Sequence, residues 1–495
     1  MAEMFAVTLA DAISPLILSV DVGSTGIRGG VFDATGRPVT KTRVRVEHSF
    51  RTNAKGRSEI SPDLVVSGVL NVIDGAISRL PARSIAGVCV DTFASSLVGV
   101  DGGAAVTPCY TYADSRSAGE IEGLRGHIAE GRLQQRTGTR LHTSYLPARL
   151  RWLARTQPDT FELVDTWMSI GEYVYLRILG VHGAATATAA WSGLLSRSQA
   201  TWDHETVAAA GIRPDQLAPI RMPDEPFTAV APQVAKRWPA LADAVWFPAI
   251  PDGYANHFGS GHADQSTLML SASTAGAIRM LVKNPPASVP AGLWCHRVDR
   301  TTCMVGGSLN DVGNAATWAE NLVTPPPGGR HSDWLVGPPI EDGPLALPFL
   351  AGERSTGWHA EARAIVAGLT GTSDPAVFYR TVLEGVAFTY RRIVDQLEQL
   401  SPELHRVIAT GGFTTAYPTW LPILASVVGL PVLPLDMKRS TLRGNAVLAL
   451  EQLAPEVERV HPVLGSPVVP NPAWADTYQE SFDRWNALYD ALYVQ

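Results

Sequence analysis

The sequence has few cysteines and no paired cysteine motif. Its four cysteines among 495 residues form no Cys-x-x-Cys pair. This pattern argues against a disulfide framework or a zinc site and favours reduced or buried thiols in a cytosolic protein. Long apolar runs are also missing, because charged residues or turn formers interrupt each of them before the length of a membrane span. The N-terminus lacks the basic stretch of a signal peptide. We therefore expect a cytoplasmic protein without a membrane partner.

The sequence contains no long block of like charge, and its formal net charge of −7 is modest. Acidic and basic residues are interspersed, which argues against a nucleic-acid partner. The P-loop signature G-x-x-x-x-G-K-[ST] is absent, so any nucleotide must be bound in another way. What the chain does have is length and an apolar fraction of 45%, which suffice for two or more domains with a substantial core.

The order of β-prone and helix-prone segments predicts an α/β fold with two related halves. Segments 16–46 and 266–306 resemble each other, since each holds strands separated by small-residue turns and precedes a helix. The boundary is expected near 245–262. The predicted strands are 16–22, 27–33, 38–46, 85–91, 96–101, 245–250, 266–272, 276–282, 293–298, 302–306, 405–410 and 431–435, and the predicted helices are 62–79, 309–322, 374–398 and 417–428, with mostly helix between 115 and 180.

The first candidate site is a turn of small residues between two β-prone runs, at 17–33. Asp21 ends the first run, and Gly23, Ser24, Thr25 and Gly26 follow. Glycines let the backbone approach an anion, and the N–H groups of such a turn form a nest for phosphate. Asp21 has the chemistry to hold the Mg²⁺ that accompanies a nucleotide triphosphate. An ordinary β-hairpin explains the segment equally well.

The second candidate is Asp252, which follows the apolar run 246–250 and opens a predicted helix. A carboxylate at the end of such a strand can accept the proton of a substrate hydroxyl, which is the role of the base in phosphoryl transfer. The alternative is that Asp252 only caps the helix.

Three further small-residue segments have weaker signals. The run Ser273-Thr274-Ala275 can form a second phosphate turn or a plain hairpin. Gly411-Gly412 lies between a predicted strand and helix, where backbone can approach a flat nucleoside, and Gly444-Asn445 opens the next helix. For both of these glycine segments, close packing of a helix on a strand is the alternative.

The order of these segments along the chain resembles that of the FGGY carbohydrate kinases. The resemblance covers about 16–455, and the remaining matching stretches include 100–101, 108, 112–116, 350–358 and 384–388. Stretches 141–145, 169–176, 292–300 and 306–311 are similar to gluconokinase-like members.

This resemblance implies two actin-like (ribonuclease H-like) α/β domains with an interdomain cleft, as in the sugar kinase–actin–chaperone superfamily. It implies an N-terminal domain over 1–250 with the phosphate turn and sugar pocket, and a C-terminal domain over 251–495 that binds adenosine. ATP and Mg²⁺ would be used to phosphorylate a primary hydroxyl of a small sugar or sugar acid, gluconate as the first choice. A homodimer is compatible with the resemblance.

The resemblance also implies roles for individual residues. Asp252 would be the base and Asp21 would orient Mg²⁺, usually through water. The sugar would meet Ala94, Ser95, Asp114, Arg116, Tyr145 and Asp252, whereas the nucleotide would meet Gly23, Ser24, Thr25, Ser273, Thr274, Gly411, Gly412, Gly444 and Asn445.

The sequence departs from the family pattern at three places. Ser273-Thr274-Ala275 stands where Gly-Thr-Ser is usual, and Pro251 stands where Gly is common. In gluconokinase-like relatives Phe93 would be followed by Trp-His, whereas Ala94 and Ser95 follow here. The last change argues against gluconate itself and leaves a different polyol, sugar acid or ketose open. A xylulokinase-like kinase of a pentulose or polyol is the alternative within the family. An actin- or chaperone-like ATPase, or a sugar-binding regulator with weakened catalysis, are the alternatives from other classes.

Overall fold

Strands and helices alternate along the chain, as expected for an α/β protein. The computed structural model describes residues 5–228, 231–261, 264–435, 437 and 440–494. The strands are β1 Leu16–Gly23, β2 Gly26–Phe32, β3 Val44–Glu47, β4 Arg51–Thr52, β5 Ser58–Ile60, β6 Ile85–Thr92, β7 Val98–Asp101, β8 Ala104–Ala105, β9 Cys109–Tyr110, β10 Thr166–Met168, β11 Ala184–Ala185, β12 Leu195–Ser196, β13 Thr201–Trp202, β14 Ile220–Arg221, β15 Val245–Trp246, β16 Ile250–Pro251, β17 Thr267–Ala272, β18 Gly276–Lys283, β19 Trp294–Arg297, β20 Thr302–Leu309, β21 Leu345–Leu347, β22 Ile365–Ala367, β23 Arg406–Thr410 and β24 Val432–Pro434.

The helices range from single turns to one of 24 residues. They are α1 Pro62–Ile77, α2 Glu120–Arg125, α3 Glu130–Thr137, α4 Leu146–Thr156, α5 Pro158–Leu163, α6 Ile170–Leu179, α7 Thr186–Ser192, α8 His204–Ala209, α9 Pro232–Arg237, α10 Asp252–Gly259, α11 Gly313–Leu322, α12 Pro375–Glu398, α13 Gly412–Ala416, α14 Leu421–Val428, α15 Ser440–Leu453 and α16 Ala475–Tyr493. Within the described part of the chain, none of them has both the length and the apolar character needed to cross a membrane.

Most predicted elements lie close to their expected positions, and the differences have local causes. The predicted strand 38–46 is only Val44–Glu47. The predicted strand 245–250 is divided into β15 and β16, because Pro248 between them has no N–H to donate to a sheet. The helix predicted at 417–428 is preceded by α13, which begins at Gly412.

The chain divides into two compact units, each assembled from three stretches of the sequence. The first unit comprises Met1–His262, Cys295–Cys303 and Met437–Pro462. The second comprises Ala263–Trp294, Met304–Asp436 and Val463–Gln495. Helices α10 and α15 therefore both belong to the first unit, although they come from sequence segments almost 200 residues apart.

The first unit is built on a mixed sheet in the order β15-β6-β1-β2-β3, with β16 also paired to β6. Strand β1 is antiparallel to β2 and parallel to β6. Both faces of β1 are covered: Val20 packs in one apolar cluster with residues of α1, and Ile17 packs in another with residues of α15. Burial on both faces explains why β1 is a nearly continuous apolar run.

The second unit repeats the strand pattern of the first, as the sequence predicts. Its sheet contains the order β20-β18-β17-β23-β24. Strand β17 is antiparallel to β18 and parallel to β23, as β1 is to β2 and β6. The long helix α12 begins at an Asp374 side chain that accepts a hydrogen bond from the Val377 N–H at 2.9 Å.

Helix α6 of the first unit begins with a buried capping box, which gives a stability prediction. The Ser169 and Glu172 side chains each accept a hydrogen bond from the other residue's backbone N–H. Burial raises the pKa of the Glu172 carboxyl, and its hydrogen bonds with Ser169 oppose that rise. The folded state therefore binds this proton more tightly than the unfolded chain does, so stability falls as pH rises from the ordinary glutamate range through the raised folded pKa.

We expect Glu172→Gln to stabilise the protein at pH 8, because glutamine keeps the accepting oxygen and removes the buried charge. The Tm should rise by roughly 1–3 °C at pH 8, and the gain should shrink toward pH 4. Thermal unfolding across this pH range measures it. The exposed Glu205→Gln, on α8 of the same unit, serves as the control. A variant that loses stability at every pH would contradict the prediction.

Candidate active site

Two aspartates are neighbours at the carboxyl ends of β1 and β6. The parallel register of these strands pairs Asp21 with Asp91. Both side chains are buried, with residue exposures of 5% and 0%. The carboxyl ends of parallel strands are where open α/β sheets bind ligands. Two acids at this edge are costly to bury, so they point to a functional site rather than to packing.

Among the described residues, only one of the two Asp91 carboxyl oxygens has a hydrogen-bond partner. One of its oxygens, Oδ2, accepts a hydrogen bond from the Asn445 side chain. Its other oxygen, Oδ1, is buried without a hydrogen-bond partner among the described residues. Burial raises the pKa of Asp91 well above its usual range, and the charges of Asp21 and Asp252 raise it further. A carboxyl in this environment favours a proton or a bound cation.

Asp21 differs from Asp91 in having a cationic partner. Its Oδ2 accepts a hydrogen bond from the Arg28 guanidinium at 3.2 Å, across the β1–β2 pair. Burial raises the pKa of Asp21, and Arg28 opposes that rise. The ion pair with Arg28 therefore offsets part of the cost of burying the Asp21 carboxylate.

Asp252 is placed at the same sheet edge by β16. This strand pairs in parallel with β6 so that Pro251 lies opposite Thr92. Asp252 is the first residue of α10, Pro251 takes the N-cap position, and the Asp252 carboxylate accepts from the Gly253 N–H at 2.7 Å. Its charge is close enough to raise the pKa of Asp91. The sequence-predicted Asp21 and Asp252 thus lie in one acidic cluster.

The oxygens of this cluster suit a hard divalent cation. The Oδ1 atoms of Asp91 and Asn445 are both buried without hydrogen-bond partners in the described part of the chain. Mg²⁺ takes one or two carboxylates and fills the rest of its shell with water and phosphate oxygens. Across the described ranges, no three acidic, histidine or cysteine side chains form a complete metal-binding set. A cation here would therefore need ligands from water or from a bound phosphate.

The Gly23–Gly26 turn begins two residues after Asp21. It is a tight hairpin in which Gly23 pairs with Gly26, and Thr25 is exposed at its tip. Gly26 has φ +153°, and a Cβ there would lie 2.6 Å from the Val46 carbonyl oxygen, so the position requires glycine. The His48 Nε2 lies 2.8 Å from the Gly23 carbonyl oxygen. The turn is therefore a hairpin with an exposed tip, and it begins two residues beyond Asp21.

The second predicted phosphate turn lies in the second unit, next to Gly411. Ser273 and Thr274 are exposed between β17 and β18, and their carbonyls accept hydrogen bonds from Gly313 and Asn314 at the start of α11. Gly411 has φ +108°, and a Cβ there would lie 2.0 Å from the Ala272 carbonyl oxygen. Close backbone packing therefore accounts for this glycine. Ser273 and Gly411 are brought together, as a shared site would require.

Gly412 differs from Gly411 because it is exposed and has open space beside it. It is the first residue of α13, and a Cβ there would meet no atom within 4 Å. Close packing of a Cβ against other segments of the described protein therefore does not explain this glycine. If the absence of a side chain at Gly412 serves binding, the atoms that require it belong to a ligand.

Gly444 and Asn445 lie in the first unit with the acidic cluster, whereas Gly411 and Gly412 lie in the second. A Cβ on Gly444 would lie 1.7 Å from the Ala255 carbonyl oxygen, so α15 packs directly on α10 through this glycine. Asn445, the next residue, donates to Asp91. Packing of two helices therefore accounts for Gly444, and Asn445 joins the acidic cluster.

Two of the residues expected at the sugar are engaged with each other. Asp114 is buried and accepts from Arg116 at 3.0 Å (Nε to Oδ1) and from the Ser58 N–H at 3.0 Å. Arg116 also donates to Glu59 at 3.1 Å and stacks over Trp152 at 4.6 Å. This network fixes the loop that contains both residues, in the first unit.

Ser95 and Tyr145 lie in one group of side chains beyond the end of β6. The Ser95 hydroxyl donates to the Trp191 carbonyl at 2.6 Å, and Ser95 has φ +53°. Tyr145 packs edge-on to His296, with ring centroids 6.2 Å apart. Ala94 is partly buried beside Ser95. The structure therefore connects two of the predicted sugar residues through residues that the sequence analysis did not identify.

The sequence analysis missed Asp91, Trp191 and His296. Asp91 ends an apolar strand, as Asp21 does, so the same pattern could have identified it. Trp191 and His296 are 105 positions apart in the numbering of the chain, and no local pattern links them.

Comparison with known protein families gives two matches in chain order. The family model "FGGY family of carbohydrate kinases, N-terminal domain" matches residues 16–257. The model of the C-terminal domain of the same family matches residues 300–453. The two matches together cover most of the chain, including Asp21, Asp91, Asp252 and Asn445.

Individual relatives are similar over most of their length but at low identity. A gluconokinase of Bacillus subtilis is 22% identical over 448 residues, covering 88% of this chain and 87% of that protein. The structure of gluconate kinase from Lactobacillus acidophilus superposes with a TM-score of 0.89 at 24% identity, covering 97% of this chain and 98% of that one. A ligand-bound xylulose kinase from Lactobacillus acidophilus also gives 0.89, at 25% identity, covering 97% and 99%.

Proposed function

Because the chain belongs to the FGGY family of carbohydrate kinases, we propose that it transfers the γ-phosphoryl group of ATP to a primary hydroxyl of a small sugar or sugar acid. The supporting observation is the acidic cluster of Asp21, Asp91 and Asp252 at one sheet edge. Such a cluster offers both a base for a hydroxyl and oxygen ligands for a cation.

Asp252 is the proposed base. The substrate hydroxyl oxygen attacks the γ-phosphorus, the bond between that phosphorus and the β–γ bridging oxygen breaks, and ADP leaves. The hydroxyl proton passes to the Asp252 carboxylate. Asp252 suits this role because its carboxylate is at the sheet edge and only half-buried, whereas Asp91 is fully buried with a raised pKa.

Asp21 would hold Mg²⁺, with Asp91 and Asn445 completing its protein surroundings. The ion would neutralise charge on the phosphates of ATP. Arg28 pairs with the Asp21 carboxylate at 3.2 Å and opposes the rise in its pKa that burial causes, and Asn445 orients Asp91 by donating to its Oδ2.

The two small-residue turns and the Gly411–Gly412 pair would bind the nucleotide. The Gly23–Thr25 turn and the Ser273–Thr274 turn would offer N–H and hydroxyl donors to phosphates. Gly411 and Gly412 would border the adenosine, and Gly444 with Asn445 would support the acidic cluster rather than touch the base of the nucleotide.

Gluconate is the first candidate substrate, and a pentulose or polyol is the second. Similarity to gluconokinases and to a solved gluconate kinase supports the first. Similarity to xylulose kinases and the small side chains of Ala94 and Ser95 support the second.

ADP release measured across a panel of sugars, sugar acids and polyols tests the proposal. We expect ADP release that depends on one class of these compounds. ADP release that no sugar stimulates would instead indicate an ATPase, and sugar binding without ADP release would indicate a regulator.

We expect Gly412→Val to weaken ATP binding by roughly 5–100-fold. A Cβ at Gly412 would meet no atom within 4 Å beyond its own helical turn, so we expect the added side chain to conflict with the nucleoside. Gly411→Val tests the idea less well, because that side chain would clash first with Ala272. Calorimetry with ATP alone and with sugar alone measures the effect.

Gly371→Val is the matched control, since Gly371 is also exposed in the second unit and a Cβ there would meet no atom within 4 Å. Unchanged ATP affinity in a folded Gly412→Val protein would remove Gly412 from the nucleotide site.

A further inference from the structure

His48 lies directly after β3 in the first unit and contacts two carbonyl groups of the Gly23–Gly26 turn. Its ring Nε2 is 2.8 Å from the Gly23 carbonyl oxygen, and its backbone N–H donates to the Thr25 carbonyl at 3.5 Å. A carbonyl oxygen can only accept a hydrogen bond, so Nε2 is the ring nitrogen that carries the proton in this contact. This one residue therefore holds the turn through both its side chain and its backbone.

The ring contact fixes the direction of a peptide group in the turn. The Gly23 carbonyl and the Ser24 N–H belong to one trans peptide bond, so they point in opposite directions. Because His48 holds the carbonyl oxygen, the Ser24 N–H is directed away from the imidazole. The backbone dihedral angles of a glycine have a wide range. A contact to the Gly23 carbonyl therefore narrows the orientations open to the N–H group that follows it.

Aromatic packing holds the imidazole in place. The His48 ring stacks on Phe50, with centroids 6.2 Å apart and 18° between the planes, and Phe50 packs edge-on against Phe93 at 5.0 Å. Phe93 is 1% exposed, and its N–H donates at 2.9 Å to the carbonyl of Val22, the residue before Gly23. These contacts begin and end at the turn. The ring of His48 thus has a defined orientation before any ligand arrives.

His48 contributes a hydrogen-bond donor to the turn rather than a charge. Burial lowers the pKa of His48, and the hydrogen bond to the Gly23 carbonyl opposes that effect. A lowered pKa keeps the imidazole neutral near neutral pH. The neutral ring has a single N–H, which is committed to Gly23. An amide N–H that reaches the same oxygen therefore offers the same interaction.

We propose that His48 is a positioning residue for phosphate binding, because it holds the Gly23 carbonyl so that the Ser24 N–H is directed at a phosphate oxygen of ATP. The inference rests on the proposed kinase function, in which the Gly23–Thr25 turn meets the phosphates. The N–H groups of such a turn bind an anion when their directions converge on it. A peptide group that is oriented in advance loses less freedom when the ligand binds.

The test compares His48→Phe and His48→Gln with wild type by calorimetry, using ATP and, as a probe without phosphates, adenosine. Phenylalanine keeps a ring against Phe50 and removes the donor, so the Kd for ATP should rise by about 3–10-fold, the effect of losing one hydrogen bond. The Kd for adenosine should change by less than about 2-fold. Glutamine places an amide N–H near the position of Nε2, so the Kd of His48→Gln for ATP should stay within about 2-fold of wild type.

His461→Phe is the control for His48→Phe. The His461 Nδ1 lies 2.6 Å from the Gly261 carbonyl oxygen, beyond the end of α10 that is opposite Asp252. Its replacement should leave the Kd values for ATP and adenosine unchanged. His48→Asn, whose amide is too short to reach the Gly23 oxygen, should behave like His48→Phe and retains the test if the phenylalanine variant fails to fold.

Three results would overturn the role of His48. They are equal ATP affinities of wild type and folded His48→Phe, an equal loss of ATP and adenosine affinity in that variant, and a His48→Gln protein that binds ATP as weakly as His48→Phe. The proposed function fails on a different observation. A wild type that binds ATP but releases no ADP with any sugar is not a carbohydrate kinase, and the affinities of the His48 variants still decide the role of that residue.

Discussion

Asp252→Asn is expected to lower kcat on the sugar substrate by on the order of 10²–10⁴, the range typical for losing a general base. The KM for ATP should change little. Asparagine has nearly the same shape and can still accept from the Gly253 N–H, so the start of α10 is preserved. What it cannot do is take the proton of the attacking hydroxyl.

The position of Asp252 explains why we expect so large an effect. Pro251 has the N-cap position of α10, so the carboxylate is not needed to begin the helix. The Asp252 charge is one of the causes of the raised pKa of Asp91. Removing it should therefore stabilise the charged form of Asp91, and the Tm of Asp252→Asn should equal or exceed that of wild type.

Asp243→Asn is the control for this prediction. Asp243 is a solvent-exposed acid of the first unit that pairs with Arg83 at 2.7 Å. Pairs of this kind contribute about 0–1 kcal/mol to stability, so neither kcat nor Tm should change much. Near wild-type turnover in Asp252→Asn would show that Asp252 is not the base.

Gly444→Ala adds only one methyl group, but we expect it to destabilise the protein strongly. Its Cβ would lie 1.7 Å from the Ala255 carbonyl oxygen and 2.8 Å from the Gly259 backbone nitrogen. Both contacts are with backbone, so no side chain can move aside, and α15 would have to shift away from α10. We expect a loss of about 3 kcal/mol or more, or a fall in Tm of roughly 6 °C or more.

The turnover of Gly444→Ala should fall by more than the loss of folded protein accounts for. Asp252 begins α10, and Asn445 on α15 holds Asp91, so a shift between these helices moves two parts of the acidic cluster. Turnover should be measured well below the Tm of the variant, where the protein remains folded.

Gly131→Ala is the matched control for Gly444→Ala. Gly131 is exposed near the start of α3 in the same unit, and a Cβ there would meet no atom within 4 Å. Alanine favours a helix over glycine by up to about 1 kcal/mol, so this variant should be unchanged or slightly more stable. Equal Tm values for the two variants would contradict the close packing of α10 on α15.

The elements that the sequence predicted well are those with a strong local signal. The hairpin predicted at 266–272 and 276–282 is observed as Thr267–Ala272 and Gly276–Lys283. Small residues separate two apolar runs there, so the strands and the turn are both evident. The predicted strand 38–46 shrinks to Val44–Glu47, because edge strands have a weaker apolar pattern than strands buried on both faces.

In the candidate site, too, residues with a local sequence signal were predicted and residues without one were not. Asp21 and Asp252 were identified because an acid directly follows an apolar run, and a Gly-rich turn or a helix comes next. The tightness of Gly444 could not be predicted, because the carbonyl that excludes a side chain belongs to Ala255, on another helix. The sequence shows that residue 444 is a glycine, but it does not show which contact requires a glycine there.

The sequence by itself determined the α/β class, the repeated strand pattern and the family, since these depend on local periodicity and on the order of short motifs. Only the tertiary structure decided which acids meet, because the pairing of Asp91 with Asp21 is set by strand register and its contact with Asn445 joins residues 354 positions apart. The stacking of Trp191 on His296 is of the same kind. A local pattern specifies an element, whereas a site depends on how separate elements pack, and side chains far apart in sequence leave no joint signal along the chain.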